Sequence, residues 1–214
     1  SKNDRTEMKP GVAERKWEVD SLCYVLRLAH DYWRESGDSE PFDDTWTRAA
    51  RLIVATFREQ QRYAGPGPYR FQRHSTQPTE TTLAGIGVPT RKHGLIHQAF
   101  RPSDDACTFP CNIPGNLFAV ATLRELAAMA RAVLKDEALA QEATALAAEV
   151  EKAVFAHGVM QLPDGRQVLA YETDGFGNHL FMDDANVPSL LSLAYLRCMP
   201  ADEPLWRTAA DAVW

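Results

Sequence analysis

Two aspartates, Asp104 and Asp105, stand side by side in the run Phe100-Arg101-Pro102-Ser103-Asp104-Asp105-Ala106. Paired acids beside an arginine and an aromatic residue suit glycoside hydrolysis. There one carboxylic acid protonates the leaving oxygen, while another carboxylate activates water or attacks the sugar. Adjacent carboxylates also repel, which raises one pKa toward that of a usable acid. The competing reading of each acid is a helix N-cap, a common post for an aspartate just before a helix.

Three other runs concentrate polar side chains: Glu14-Arg15-Lys16-Trp17-Glu18-Val19-Asp20-Ser21-Leu22-Cys23-Tyr24, Asn112-Ile113-Pro114-Gly115-Asn116-Leu117-Phe118-Ala119, and Asp174-Gly175-Phe176-Gly177-Asn178-His179 with Met182-Asp183-Asp184-Ala185-Asn186-Val187-Pro188-Ser189-Leu190-Leu191. Trp17 is the aromatic placed to stack on a sugar face, because it opens its helix; Trp33 and Tyr24 read as core. His97 and His179 could bind hydroxyls or assist a proton, with a structurally satisfied imidazole as the alternative. His74, His93 and Arg73 fall in a long loop as further candidates. Cys107-x3-Cys111 lacks the second ligand pair of a structural zinc site, so the four cysteines read as free thiols that favour a reducing, cytoplasmic setting.

Stepping outward, six segments show helical periodicity. The first spans residues 14–36, with Leu22, Val25, Leu26, Ala29 and Trp33 as its stripe. The second begins near Phe42-Asp43-Asp44, the third near Pro114 and the fourth near Asp136. A fifth is expected from Asp184 through Val187, Leu190, Leu191 and Ala194, and a sixth from Asp202. Residues 64–112 carry too many glycines and prolines for one helix and form a long loop. A β-hairpin is expected where Val159-Met160-Gln161-Leu162 and Gln167-Val168-Leu169-Ala170-Tyr171 flank Pro163-Asp164-Gly165.

Short links alternating with long loops give the rhythm of three αα-hairpins laid side by side. An α/α barrel of six hairpins needs about twice this length, so the chain reads as half a toroid, incomplete at both ends. With 214 residues it could bury roughly 70% of its unfolded surface. The long loops all enter inner helices from one direction, and loops so gathered are where function sits. A net charge of −6 gives no electrostatic reason to bind nucleic acid or an anionic membrane. Residues 1–7 lack the apolar core of a signal peptide.

At these four runs, and over nearly the whole chain from Glu14 onward, the sequence resembles glycoside hydrolase family 125, the metal-independent exo-α-mannosidases. The resemblance implies an all-α (α/α)6 barrel that removes terminal α-1,6-linked mannose with inversion, using no metal or other cofactor. It also implies a general acid in the Ser103-Asp104-Asp105 run, at Asp105 in preference to Asp104, with the general base beyond the C-terminal end of this chain. Binding of a mannose-containing oligosaccharide would fall to Asp20, Arg101, His179, Asp183, Asp184 and Asn186, helped by Trp17 and His97. Gly115 departs from the family, which usually has serine there.

Two other classes compete. Helical terpenoid synthases bind magnesium diphosphate through Asp-rich motifs, but the positions three after Asp105 and Asp184 are Thr108 and Val187, not acids. A non-catalytic carbohydrate-binding or helical-hairpin interaction protein is the other alternative. The absence of a short repeat and the long loops count against the scaffold form.

Overall fold

The computed structural model describes residues 4–6, 8–12 and 14–214, so residues 1–3 and 7 of the N-terminal run read above lie outside the described residues. Helix α1 is Val19–Ser36 and ends on Gly37, whose φ of 69° lets its N–H bond Trp33 O at 2.9 Å. Helix α2 is Asp44–Gln60. Its N-cap is Asp43, which accepts from the N–H groups of Thr45 and Trp46 at 2.8 and 2.9 Å.

A short strand β1, Cys111–Asn112, leads into α3, Ile113–Met129. The Asn112 side chain caps α3 by accepting from Gly115 N at 2.8 Å. A β-carbon at residue 115 would stand 3.0 Å from that cap oxygen, so the glycine that departs from the family pattern leaves room for it. Helix α3 is buried on nearly every face and continues as a π-helical turn, Ala130–Leu134. Helix α4, Glu137–His157, starts on Asp136, whose carboxylate accepts from Leu139 N at 3.0 Å.

The expected β-hairpin is present as β2, Val159–Gln161, paired antiparallel with β3, Gln167–Leu169, in the register Met160 to Val168. Two further strands, β4 at Glu172–Thr173 and β5 at His179–Leu180, join β1 in a three-stranded antiparallel sheet of order β1-β4-β5. Sequence periodicity gives no sign of it, because two-residue strands have no period to read. Helix α5, Pro204–Val213, is the last regular element.

Three expectations need correction. Helix α1 begins at Val19 rather than Glu14, since the Trp17 carbonyl is taken by Ala99 N and Val19 N goes to the Gln98 side chain. No regular helix follows Asp184: the segment up to Pro200 is a chain of turns. Pro188 has no N–H, the Asp183 carboxylate takes the N–H groups of Leu190 and Leu191 at 2.7 and 3.0 Å, and Ser189 and Ser192 bond each other. The last helix starts at Pro204, capped by Glu203, not at Asp202.

Helix α3 packs between α1 and α4, with α2 alongside α4 and α1. One continuous core joins these helices to Tyr171 and to Leu190, Leu193 and Leu196 of the turn segment. The 95–112 loop then ties the starts of α1 and α3 together. Ile96 N and O both bond the Asn116 side chain, Gln98 N bonds Pro110 O, and Ile113 N bonds Tyr171 O. Those ties bring the polar runs to one end of the helices.

Candidate active site

The loop carrying the paired acids is folded tightly on itself. Arg101 N donates to Asp105 O at 2.7 Å, Asp104 N donates to Arg101 O at 2.9 Å, and Phe100 bridges Ala106. Asp104 takes a left-handed φ of 69° there. Lys16 holds Asp104 twice, by an ion pair of 2.8 Å and a hydrogen bond to its carbonyl at 3.0 Å. The ammonium also lies 4.9 Å from the Phe100 ring centre. Asp105 is half-buried, and its carboxylate has neither a hydrogen bond nor an ion pair among the described residues.

Arg101 is fixed from behind. Its Nε donates to Glu172 Oε1 at 2.6 Å, and the other oxygen of this fully buried carboxylate accepts from Thr108 N and Phe109 N at 2.8 and 2.9 Å. Strand β4 carries Glu172, so the small sheet aims the acid loop. The guanidinium lies 5.6 Å from the Tyr171 ring centre. The Tyr171 hydroxyl is buried without a partner, and its pKa is pushed far up by burial and then by the charge of Asp184.

Asp184 is held below the ordinary carboxylate range. Burial works to raise it, but the backbone N–H and side-chain amide of Asn186 and the charge of Arg101 outweigh that. Asn186 reaches it at 3.0 Å by its backbone and 3.1 Å by its side chain. Asp183 is raised by burial, despite the two amides it caps.

At the start of α1, Asp20 is 7% exposed, and one of its carboxylate oxygens has no partner. Burial lifts its pKa to about 6. Glu18 is lifted to about 7, by burial first and then by the charges of Asp20 and Asp104. Two carboxyls that hold protons near neutrality therefore sit beside a third that is paired with Lys16. Tyr24, one turn along α1, donates to Val187 O at 2.9 Å and so ties this cluster to the Asp184 segment.

Of the candidates named from sequence, Asp20, Arg101, Asp104, Asp183, Asp184 and Asn186 are thus linked by contacts and charges, with Asp105 on the same loop. Trp17, His97 and His179 belong to a neighbouring layer. Trp17 is buried, stacked on Tyr69 at 4.8 Å, and its Nε1 donates to His97 O at 2.7 Å. His97 is fully enclosed between Gln60 O at 2.9 Å and Thr90 Oγ1 at 2.7 Å. Burial, then the Arg62 charge, depresses its pKa to about 3, so it stays neutral. His93 stacks on both His97 and His157, and His179 bonds the His157 carbonyl at 2.9 Å.

Sequence reasoning missed Glu18, Lys16, Tyr171 and Glu172. An acid inside the apolar strand run ending Ala170-Tyr171-Glu172-Thr173 is the one signal that could have exposed Glu172. His30, Asp31 and Glu125 are the described residues close enough together to ligate a metal. Arg27 and Arg197 already pair with those acids, which leaves little negative charge for a cation.

Carboxylates gathered on loops at the starts of packed helices, backed by an arginine, make up the kind of site that helical glycoside hydrolases use. A family model described as metal-independent alpha-mannosidase (GH125) matches residues 1–214, and the chain belongs to that family. Among its relatives is the meiotically up-regulated gene 157 protein of Schizosaccharomyces pombe, 40% identical, matched over 91% of this chain and 40% of its own length. A solved metal-independent alpha mannosidase of Streptococcus pneumoniae, in a non-productive complex with α-1,6-mannobiose, superposes with a TM-score of 0.95 at 32% identity. That match covers 99% of this chain and 50% of the other. The chain therefore spans half or less of the length of these relatives.

Proposed function

We propose that residues 1–214 form part of the catalytic domain of an inverting, metal-independent exo-α-mannosidase that releases terminal α-1,6-linked mannose from oligosaccharides or N-glycans. In this reading α1 with α2 and α3 with α4 are two consecutive hairpins of an (α/α)6 barrel, the turn segment before α5 stands where a further inner helix is expected, and further hairpins complete the ring. The single observation that carries the reading is the contrast inside the acid pair. Lys16 occupies the carboxylate of Asp104 in an ion pair, while the half-buried carboxylate of Asp105 is left open to a ligand.

Asp105 acts as general acid, passing its proton to the glycosidic oxygen as the bond from that oxygen to the anomeric carbon breaks. A water attacks the anomeric carbon from the opposite face and gives up its proton to a general base supplied from outside this chain. Inverting enzymes keep acid and base about 6.5–9.5 Å apart to admit this water, and a barrel mouth places them on different hairpins. Asp20, Arg101, Asp184 and Asn186 bind sugar hydroxyls, and Asp183 shapes the loop that carries the last two. Support for the linkage comes from the mannobiose bound to the pneumococcal relative.

The test is mannose release by the full-length protein from α-1,6-mannobiose, in EDTA, with the α-1,2 and α-1,3 isomers as controls and the product anomer read by NMR. Selective release of β-mannose is expected. Turnover of none of the three, or initial release of the α-anomer, would refute the assignment.

A further inference from the structure

Arg62 follows the end of α2 with a left-handed φ of 60°, which turns its side chain beneath the loop of residues 83–92. It is 8% exposed. Its Nη1 donates to Ile86 O at 3.1 Å, its Nε has no partner, and no acidic side chain pairs with it among the described residues. A buried guanidinium without a counter-charge is unfavourable, because no ion pair repays its loss of hydration. The groups that weigh on it electrostatically are Cys111, Cys107 and the neutral His97. Burial raises the pKa of both thiols, so neither supplies an anion.

The guanidinium lines a cavity of about 430 Å³ whose walls are mainly Pro66, Leu83, Ala84, Ile86, Val88 and Pro89. Lys92 also borders it and adds a second positive charge, its Nζ bonded to Tyr63 O at 2.6 Å. Close by, the Gln60 side-chain amide is fully buried with neither atom bonded, pressed against the space left by Gly67. An unpaired cation at one side of an apolar chamber is complementary to a negative head on an apolar body. Arginine suits the head, because its planar fork meets an oxyanion at two points.

We infer that this cavity is a binding site for a small organic anion, with a carboxylate head on Arg62 and an aliphatic body against the walls formed by residues 83–89. It involves none of the carboxylates of the candidate active site and stands whether or not that site is a mannosidase.

Calorimetric titration of the full-length protein at constant ionic strength, with butyrate, its neutral amide butyramide and inorganic phosphate, tests the site. Saturable binding of butyrate is expected, with butyramide at least tenfold weaker. Arg62→Met should abolish butyrate binding without lowering Tm, since it replaces an unpaired buried charge by an apolar chain of similar length. Val88→Phe, which fills the cavity and leaves Arg62 in place, should abolish binding as well. No saturable butyrate binding, equal binding of butyramide, or undiminished binding in either variant would overturn the inference. Binding of phosphate without butyrate would overturn it in favour of a bare oxyanion site.

Discussion

Arg101 and Glu172 meet at 2.6 Å although 71 positions separate them, and Glu172 is completely enclosed. The pair joins the acid loop to β4 and satisfies the two amides at Thr108 and Phe109 as well. Removing the carboxylate strands a largely buried cation and two N–H groups at once. Glu172→Ala should therefore cost about 3–5 kcal/mol of folding stability, the usual loss when a buried pair loses one partner. Glu172→Gln keeps an acceptor and should cost clearly less. Denaturant unfolding of the full-length variants measures both, and equal losses would mean that the retained acceptor compensates nothing and that the lost charge accounts for the whole effect.

The difference between Asp104 and Asp105 leads to a kinetic expectation. Asp105→Asn cannot deliver a proton and should lower kcat about 10²–10⁴-fold while affinity for mannobiose is kept. Asp104→Asn breaks the Lys16 contact and should disturb the loop, with a much smaller effect on kcat. Steady-state kinetics and calorimetric binding of mannobiose separate the two; the reverse order would give the acid role to Asp104.

Much of the helical framework was legible because its signals are local. Asp43 and Asp136 cap α2 and α4 where the acids suggested helix starts, and Pro114 sits in the first turn of α3. The segment after Asp184 misled, because Leu190, Leu191 and Ala194 keep helical spacing while Asp183, Ser189 and Ser192 take the amides that a helix would need. Acids at the site could be named from runs of sequence. Their surroundings could not, since Lys16 reaches Asp104 across 88 positions and Glu18 owes its shift to burial in the fold and to charges that include distant Asp104.

Glu18 and Asp20 predict a pH dependence. Their carboxyls titrate near 7 and 6 in the fold against ordinary values of 4.5 and 3.8, so the folded state binds more protons than the unfolded one across that interval. Stability from these groups is present below about pH 4 and falls as pH rises toward 7. Glu18→Gln removes the larger part of that loss. Its Tm should match the wild type near pH 4.5 and exceed it at pH 8; a difference that stays constant over this range would remove the shift from the account.

His93 and His97 act with the opposite sign. Burial first, then neighbouring positive charge, lowers their pKa values to about 4 and 3 from 6.5, so the unfolded chain takes up protons first as pH falls. The stability these rings provide is complete above about pH 6.5 and is lost progressively down to pH 4 and below. His93 lies stacked between His97 and His157, so His93→Gln should lower Tm at pH 7.5 through lost packing. The same variant should lose less than the wild type between pH 6.5 and 4.5, because one of the two proton-linked rings is gone. The gap in Tm between the two proteins should therefore narrow toward acid. A gap that widens would show that His93 is charged in the folded state and that Asp174, the carboxylate that favours its protonation, outweighs its burial.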